Sequence, residues 1–197
     1  MFNMGYYRKI DMKYIIKEPT FMIQGEKVIL TTIEEDDLEK LRIWRNITEY
    51  RKHFREYREI SSTMQKKWFE NIVNNDKNTI MFAIRSVNNN ELLGCCGLCY
   101  INWVHRFADL SLYIGKDNCY IDDTGIAEES CKLLFNYGFK ELGLNKIWTE
   151  IYEFDNKKLE LYNKFHFHKD GYLREQYFYD GKWWNSYILS LLAREYE

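Results

Sequence analysis

Between Val28 and Leu192 the chain switches repeatedly between two hydrophobic periods, and each switch marks an element. Val28 to Thr32 reads as a first strand. Glu34 to Arg45 then carries Leu38, Leu41 and Trp44 at helical spacing behind an acidic first turn, a favourable helix start. Ser62 to Val73 sets Trp68, Phe69 and Ile72 on one face of a second helix. Ile80 to Ser86 and Leu92 to Tyr100 form a hairpin around Asn88-Asn89-Asn90, residues that tolerate turn conformations. Ala108 to Gly115 alternates as a strand, and the polar loop Asp122 to Ala127 opens into an amphipathic helix ending near Phe139. A strand over Lys146 to Tyr152 and a short helix carrying Leu159, Leu161, Tyr162 and Phe165 follow. Gln176 to Tyr179 and Trp184 to Leu192 pair across Asp180-Gly181. These strands are too mixed in polarity for a wholly parallel buried sheet. They predict an α/β fold of the α+β type, with a mixed, mainly antiparallel central sheet flanked by helices.

Composition narrows this reading. The 197 residues suit about one domain, expected over 24–197, with residues 1–23 and their Lys17-Glu18-Pro19 as an N-terminal extension. Hydrophobic content of 46% with one proline marks a folded chain. A net charge of −2 argues against a nucleic-acid binder. No run reaches the apolar length of a membrane span, and the first residues lack a signal-peptide layout, so a cytoplasmic location is expected. Cys95, Cys96 and Cys99 lie in a strand that reads as buried, where cysteine packs as a small hydrophobe. Neither they nor His105, His166 and His168 have the paired spacing a metal needs, so no metal is expected.

The candidate chemistry lies around the Asp122–Ala127 loop. Successive backbone N–H groups from Asp123 to Ala127, at a helix N-terminus, present donors and partial positive charge suited to a phosphate. Gly125 permits unusual dihedrals there. The same residues also read as an ordinary acidic helix cap, and Asp122 and Asp123 place negative charge beside any bound anion.

The order of these features resembles the GNAT superfamily of acyl-CoA-dependent N-acetyltransferases, from about Gln24 to the C-terminus. The family's Arg/Gln-x-x-Gly-x-Gly/Ala loop is met by Asp122-x-x-Gly125-x-Ala127 except at its first position. Its Asn-x6-Tyr followed by Gly-Phe is approached by Asp155 to Tyr162 and then His166-Phe167. Val104-His105-Arg106-Phe107-Ala108-Asp109 is similar to the strand entry of polyamine acetyltransferases, and Trp44-Arg45-Asn46 together with Trp68-Phe69 is more similar to the nucleotide-linked amino-sugar acetyltransferases. The resemblance implies a GNAT-like acyl-CoA fold with acetyl-CoA as co-substrate. Its binding residues would be Asp122, Asp123, Thr124, Gly125, Ile126, Ala127 and Glu128 at the loop, with Asp155, Asn156 and Lys158 at the next helix. Backbone N–H groups of Leu112, Tyr113 and Ile114 would polarise the thioester carbonyl.

Tyr162 would protonate the departing thiolate, or else it is a core tyrosine. Asp109 would take the proton of the amine, with Glu150 in reserve, or else it is a strand-edge carboxylate paired with Arg106 or His105. Trp44, Arg45, Asn46 and His105 would line the acceptor site, together with the His53–Arg58 segment. The acceptor is a primary amine: a small amine or polyamine, an amino sugar or a protein N-terminus. The mixed aromatic and charged walls also suit a homodimer interface. The departures at Asp122, Asp155 and His166 keep a second reading open, an acyl-CoA-binding or regulatory protein of the same fold without turnover.

Overall fold

The structure, a computed structural model, describes residues 22–196. The expected extension over 1–23 lies almost wholly outside the described residues. Eight strands form one sheet: β1 (Met22–Gln24), β2 (Val28–Thr31), β3 (Ile80–Ser86), β4 (Leu92–Asn102), β5 (Phe107–Ile114), β6 (Lys146–Tyr152), β7 (His168–Tyr179) and β8 (Lys182–Leu192). Their spatial order is β1-β2-β3-β4-β5-β6-β8-β7, and every pairing is antiparallel except β5 with β6. The expected mixed, mainly antiparallel sheet flanked by helices is thus present.

The helices are α1 (Leu38–Asn46), α2 (Thr48–Arg51), α3 (Ser62–Trp68), α4 (Ile126–Asn136) and α5 (Asn156–Asn163). Helices α3 and α4 each run on into wider turns, through Asn74 and Glu141. Helix α1 buries Leu38, Leu41 and Trp44, the stripe its periodicity marks. Strand alternation divides β4 between two faces. Cys95 feels the charge of Arg45 on α1, whereas Cys96 neighbours Cys131 on α4. Both thiols are buried, and burial pushes Cys95 up to about 12, as befits cysteines packed as core. No described helix is long and apolar enough to cross a membrane.

The parallel pairing of β5 with β6 covers only Phe107 to Asp109 against Lys146 to Trp148. Beyond Asp109 the strands diverge, and the ladder gives way to a cleft through the sheet. On the other side of β5, the register with β4 shifts between Cys99 and Asn102, and Tyr100 there has φ of 50°. Strand β7, legible in the sequence only from Gln176, begins at His168. Nearly all its residues are at least partly exposed on both faces, so no alternation announces it. His166 lies in the turn before β7, with φ of 58°.

Candidate active site at the strand divergence

The cleft where β5 and β6 part has a volume of about 250 Å³ and is lined by Asp109 and Leu112 of β5, Thr149 and Glu150 of β6, and Lys158 of α5. It adjoins a cavity of about 320 Å³ under α1 and α3, with Arg45, Glu56, Cys99, Tyr100 and Ser111 shared between them. Glu56 and Asp76 give that cavity negative charge, while Met64, Trp68, Ile72 and Met81 make its walls apolar. A hydrogen bond from Arg58 holds the Glu56 carboxyl down at about 2.

Asp109 is 4% exposed. Its Oδ2 accepts from Arg55 Nη1 at 2.6 Å, while Oδ1 is buried without a hydrogen-bond partner. Burial raises the Asp109 pKa and the Arg55 guanidinium opposes that rise. The expected alternative, pairing with Arg106 or His105, does not occur: the partner comes from the 52–61 loop, 54 residues away. Glu150 accepts from Ser186 Oγ at 2.7 Å, and its other oxygen lies 3.8 Å from Arg55 Nε. Arg55 therefore bridges the two carboxylates.

Tyr162 is fully buried, stacks on Phe167, and has a hydroxyl with no partner. Burial pushes its phenol well above the ordinary value, with Cys131, Asp155 and Asp109 adding to the rise. Lys158, expected among cofactor contacts, brings a buried amine into the cleft itself, 5.2 Å from the Tyr120 ring. Burial lowers its pKa, while Asp155 and Asp109 favour its charged form.

Several expected contacts take other forms. Asp122 Oδ2 accepts from the Thr124 and Ile126 amides, both at 2.9 Å, and Oδ1 from the Ala127 amide at 2.7 Å. Its carboxylate thus fills the anion slot that the loop was expected to offer a phosphate. Burial opposes ionisation of Asp122, but hydrogen bonds from the Thr124 hydroxyl and the loop amides outweigh it and lower its pKa. Gly125 has φ of 94°, the left-handed conformation that favours glycine, and a Cβ there would lie 2.9 Å from Lys27 Nζ. Asp123 stays exposed. Glu128 pairs with Lys132 and Lys164.

The strand amides are also largely committed. Ile114 N–H donates to the Tyr120 carbonyl at 2.7 Å, and Gly115 N–H to Leu93. By strand alternation Tyr113 faces β4, which leaves the Leu112 amide as the one of the three aimed at the cleft. Asp155 caps α5 through the Lys158 amide, accepts from Tyr120 Oη at 2.9 Å, and lies 3.1 Å from His53 Nδ1. Being so engaged, it offers a ligand little, and Asn156 beside it is exposed. Trp44 is core: its indole packs where any Cβ on Gly115 would stand. Asn46 gives both its amide groups to Ile60, at 2.9 and 2.8 Å, and so anchors the loop instead of facing an acceptor. His105 lies exposed in the β4–β5 turn and lines neither cavity. Arg45 does line both, stacked 4.0 Å over Phe54. Sequence reasoning did not single out Arg55, Glu56 or Tyr120; the first two lie in the His53–Arg58 segment expected at the acceptor site, and Tyr120 carried no signal.

Residues 27–168 match the family model described as acetyltransferase (GNAT) domain. The uncharacterized N-acetyltransferase p20 of Bacillus licheniformis is 30% identical over 115 residues, 58% of this chain and 63% of that protein. The spermidine N(1)-acetyltransferase of Escherichia coli K12 is 28% identical over 106 residues, 54% of this chain and 55% of that one. The chain thus spans less than two thirds of either relative. A solved structure of spermidine N-acetyltransferase from Vibrio cholerae, in complex with CoA and spermine, superposes with a TM-score of 0.79 at 22% identity. That match covers 87% of this chain and 99% of the other, and establishes likeness of fold.

Proposed function

We propose, from the premise that this chain belongs to the GNAT acetyltransferase family, that it transfers an acetyl group from acetyl-CoA directly to a primary amine. The observation that carries this reading is the buried, unpartnered Asp109 Oδ1 in the cleft at the strand divergence; Tyr162 Oη on α5, also buried and unpartnered, is near enough to feel the charge of Asp109. Orphaned buried groups cost stability, and in this reading they serve as base and acid. The Leu112 amide beside them suits a thioester carbonyl, so the cleft fits the acyl end of acetyl-CoA. At the loop, the seated Asp122 carboxylate supports an anion-accepting slot that a diphosphate enters once that side chain leaves.

In this reading Asp109 accepts a proton from the acceptor's ammonium, and the neutral nitrogen attacks the thioester carbonyl. The C–N bond forms as the C–S bond breaks, and Tyr162 delivers a proton to the departing thiolate. Its raised pKa keeps the phenol protonated at any working pH. Glu150 contributes negative charge that favours a cationic acceptor. The apolar-walled cavity, in which Glu56 and Asp76 stand with Arg45, supports a polyamine over an amino sugar through its apolar walls and the Asp76 carboxylate, in keeping with the spermidine acetyltransferases among the relatives.

The test is to mix the protein with acetyl-CoA and spermidine, an amino sugar or an N-terminal peptide, following free thiol and acetylated product. Thiol release with acetylspermidine as the main product is expected. Thermal stabilisation by CoA without thiol release for any amine would favour an acyl-CoA-binding protein.

A further inference from the structure

We infer that Arg55 is a positioning residue for the base: it keeps the buried Asp109 ionised and leaves Oδ1 as the oxygen that takes the amine proton. The inference rests on the reading of Asp109 as base given above. Two observations carry it. Arg55 Nη1 occupies Oδ2 at 2.6 Å, and Oδ1 is left buried and unpartnered on the same carboxylate. A proton from an incoming ammonium therefore has one free site on this group.

The charges around Asp109 explain why a guanidinium is needed. Glu150 on β6 faces it and disfavours its ionised form, and the Cys99 thiol on β4 and Tyr162 phenol on α5 are near enough to feel its charge. Lys158 on α5 favours ionisation, but it is itself buried and also drawn to Asp155. Arg55 makes the direct contact, and a guanidinium stays charged at every working pH. It also reaches Glu150 at 3.8 Å, so one side chain offsets the repulsion between the two carboxylates. The loop that delivers it is fastened to α1 by the paired hydrogen bonds between Asn46 and Ile60.

Loss of Arg55 removes the main group favouring carboxylate, so the Asp109 pKa rises further and the protonated, inactive fraction grows as pH falls. The experiment is the pH profile of kcat/KM with acetyl-CoA and spermidine for the wild type, Arg55→Gln, Arg55→Lys and Asp109→Asn. In Arg55→Gln the acid limb should move up by about one pH unit or more, giving a loss of about tenfold on the acid limb that shrinks and disappears toward alkaline pH. Arg55→Lys should restore most of the wild-type profile. A profile for Arg55→Gln that superimposes on the wild type, or a loss uniform across pH, overturns the inference. If Asp109→Asn is slow while Arg55→Gln behaves as wild type, only the role of Arg55 falls. If both are as active as the wild type, the assignment of Asp109 as base falls with it.

Discussion

The strand divergence and the loop before α4 are built in opposite ways. Asp109 Oδ1, in the cleft at the β5–β6 divergence, and Tyr162 Oη, in the core on α5, are buried with no partner. At the start of α4, the Thr124, Ile126 and Ala127 amides are all satisfied by one side chain, Asp122. Unpaired groups in a dry site cost stability and are poised for chemistry, whereas satisfied donors steady a helix and must be vacated before a ligand binds. In the proposed reading the divergence is preorganised for chemistry, and the loop before α4 carries its own competitor for a bound anion.

The largest expected effect is at the strand divergence. Asp109→Asn keeps the shape of the carboxyl but cannot accept a proton. It should lower kcat/KM at pH 7 by about 100-fold or more, with partial recovery at alkaline pH as free amine accumulates. A steady-state pH profile checks this, and an unchanged profile would move the base to Glu150 or a water chain. Next comes Tyr162→Phe, which should lower kcat by about tenfold while CoA binding persists. Because the hydroxyl has no partner, its removal should leave the melting temperature unchanged or raise it, by about 1 kcal/mol of stability at most. A marked loss of stability would instead show that the hydroxyl is structurally engaged.

The loop before α4 should respond in the reverse sense. Asp122→Asn removes the internal charge, so CoA should bind about tenfold tighter by calorimetry while α4 loses about 1 kcal/mol of capping energy. Pantetheine, which lacks the diphosphate, should bind both proteins alike. Weaker binding of CoA to the variant would mean that Asp122 organises the loop for its ligand instead of competing with it. The smallest effect is expected at Asn46→Ala. Freeing the loop from α1 should raise the KM for the amine about threefold and leave kcat nearly unchanged.

The same contrast explains what the sequence made legible. Strands β3, β5 and β6 follow their hydrophobic pattern because each buries a defined set of positions, and β6 runs from Lys146 to Tyr152 as the pattern indicates. The loop's position, its glycine and the helix after it were legible for the same local reasons. Its occupancy follows the acidic-cap reading that the same residues also allowed, with Asp122 reaching the Ile126 and Ala127 amides from before the N-cap Gly125. Arg55 was hidden for a different reason. It pairs with a residue 54 positions away, and only the folding of an irregular loop over β5 brings them together. Trp44 and Asn46 misled because an aromatic and an amide next to an arginine resemble a binding wall. In the fold one fills the space beside Gly115 and the other ties down Ile60.

The most direct test of the central claim is a crystal structure of the protein with CoA bound. The account predicts the sulfur in the β5–β6 divergence facing Tyr162 and Asp109. It also predicts the diphosphate on the Thr124, Ile126 and Ala127 amides, with the Asp122 carboxylate turned away from them. CoA bound elsewhere, or bound while Asp122 keeps all three amides, would contradict it.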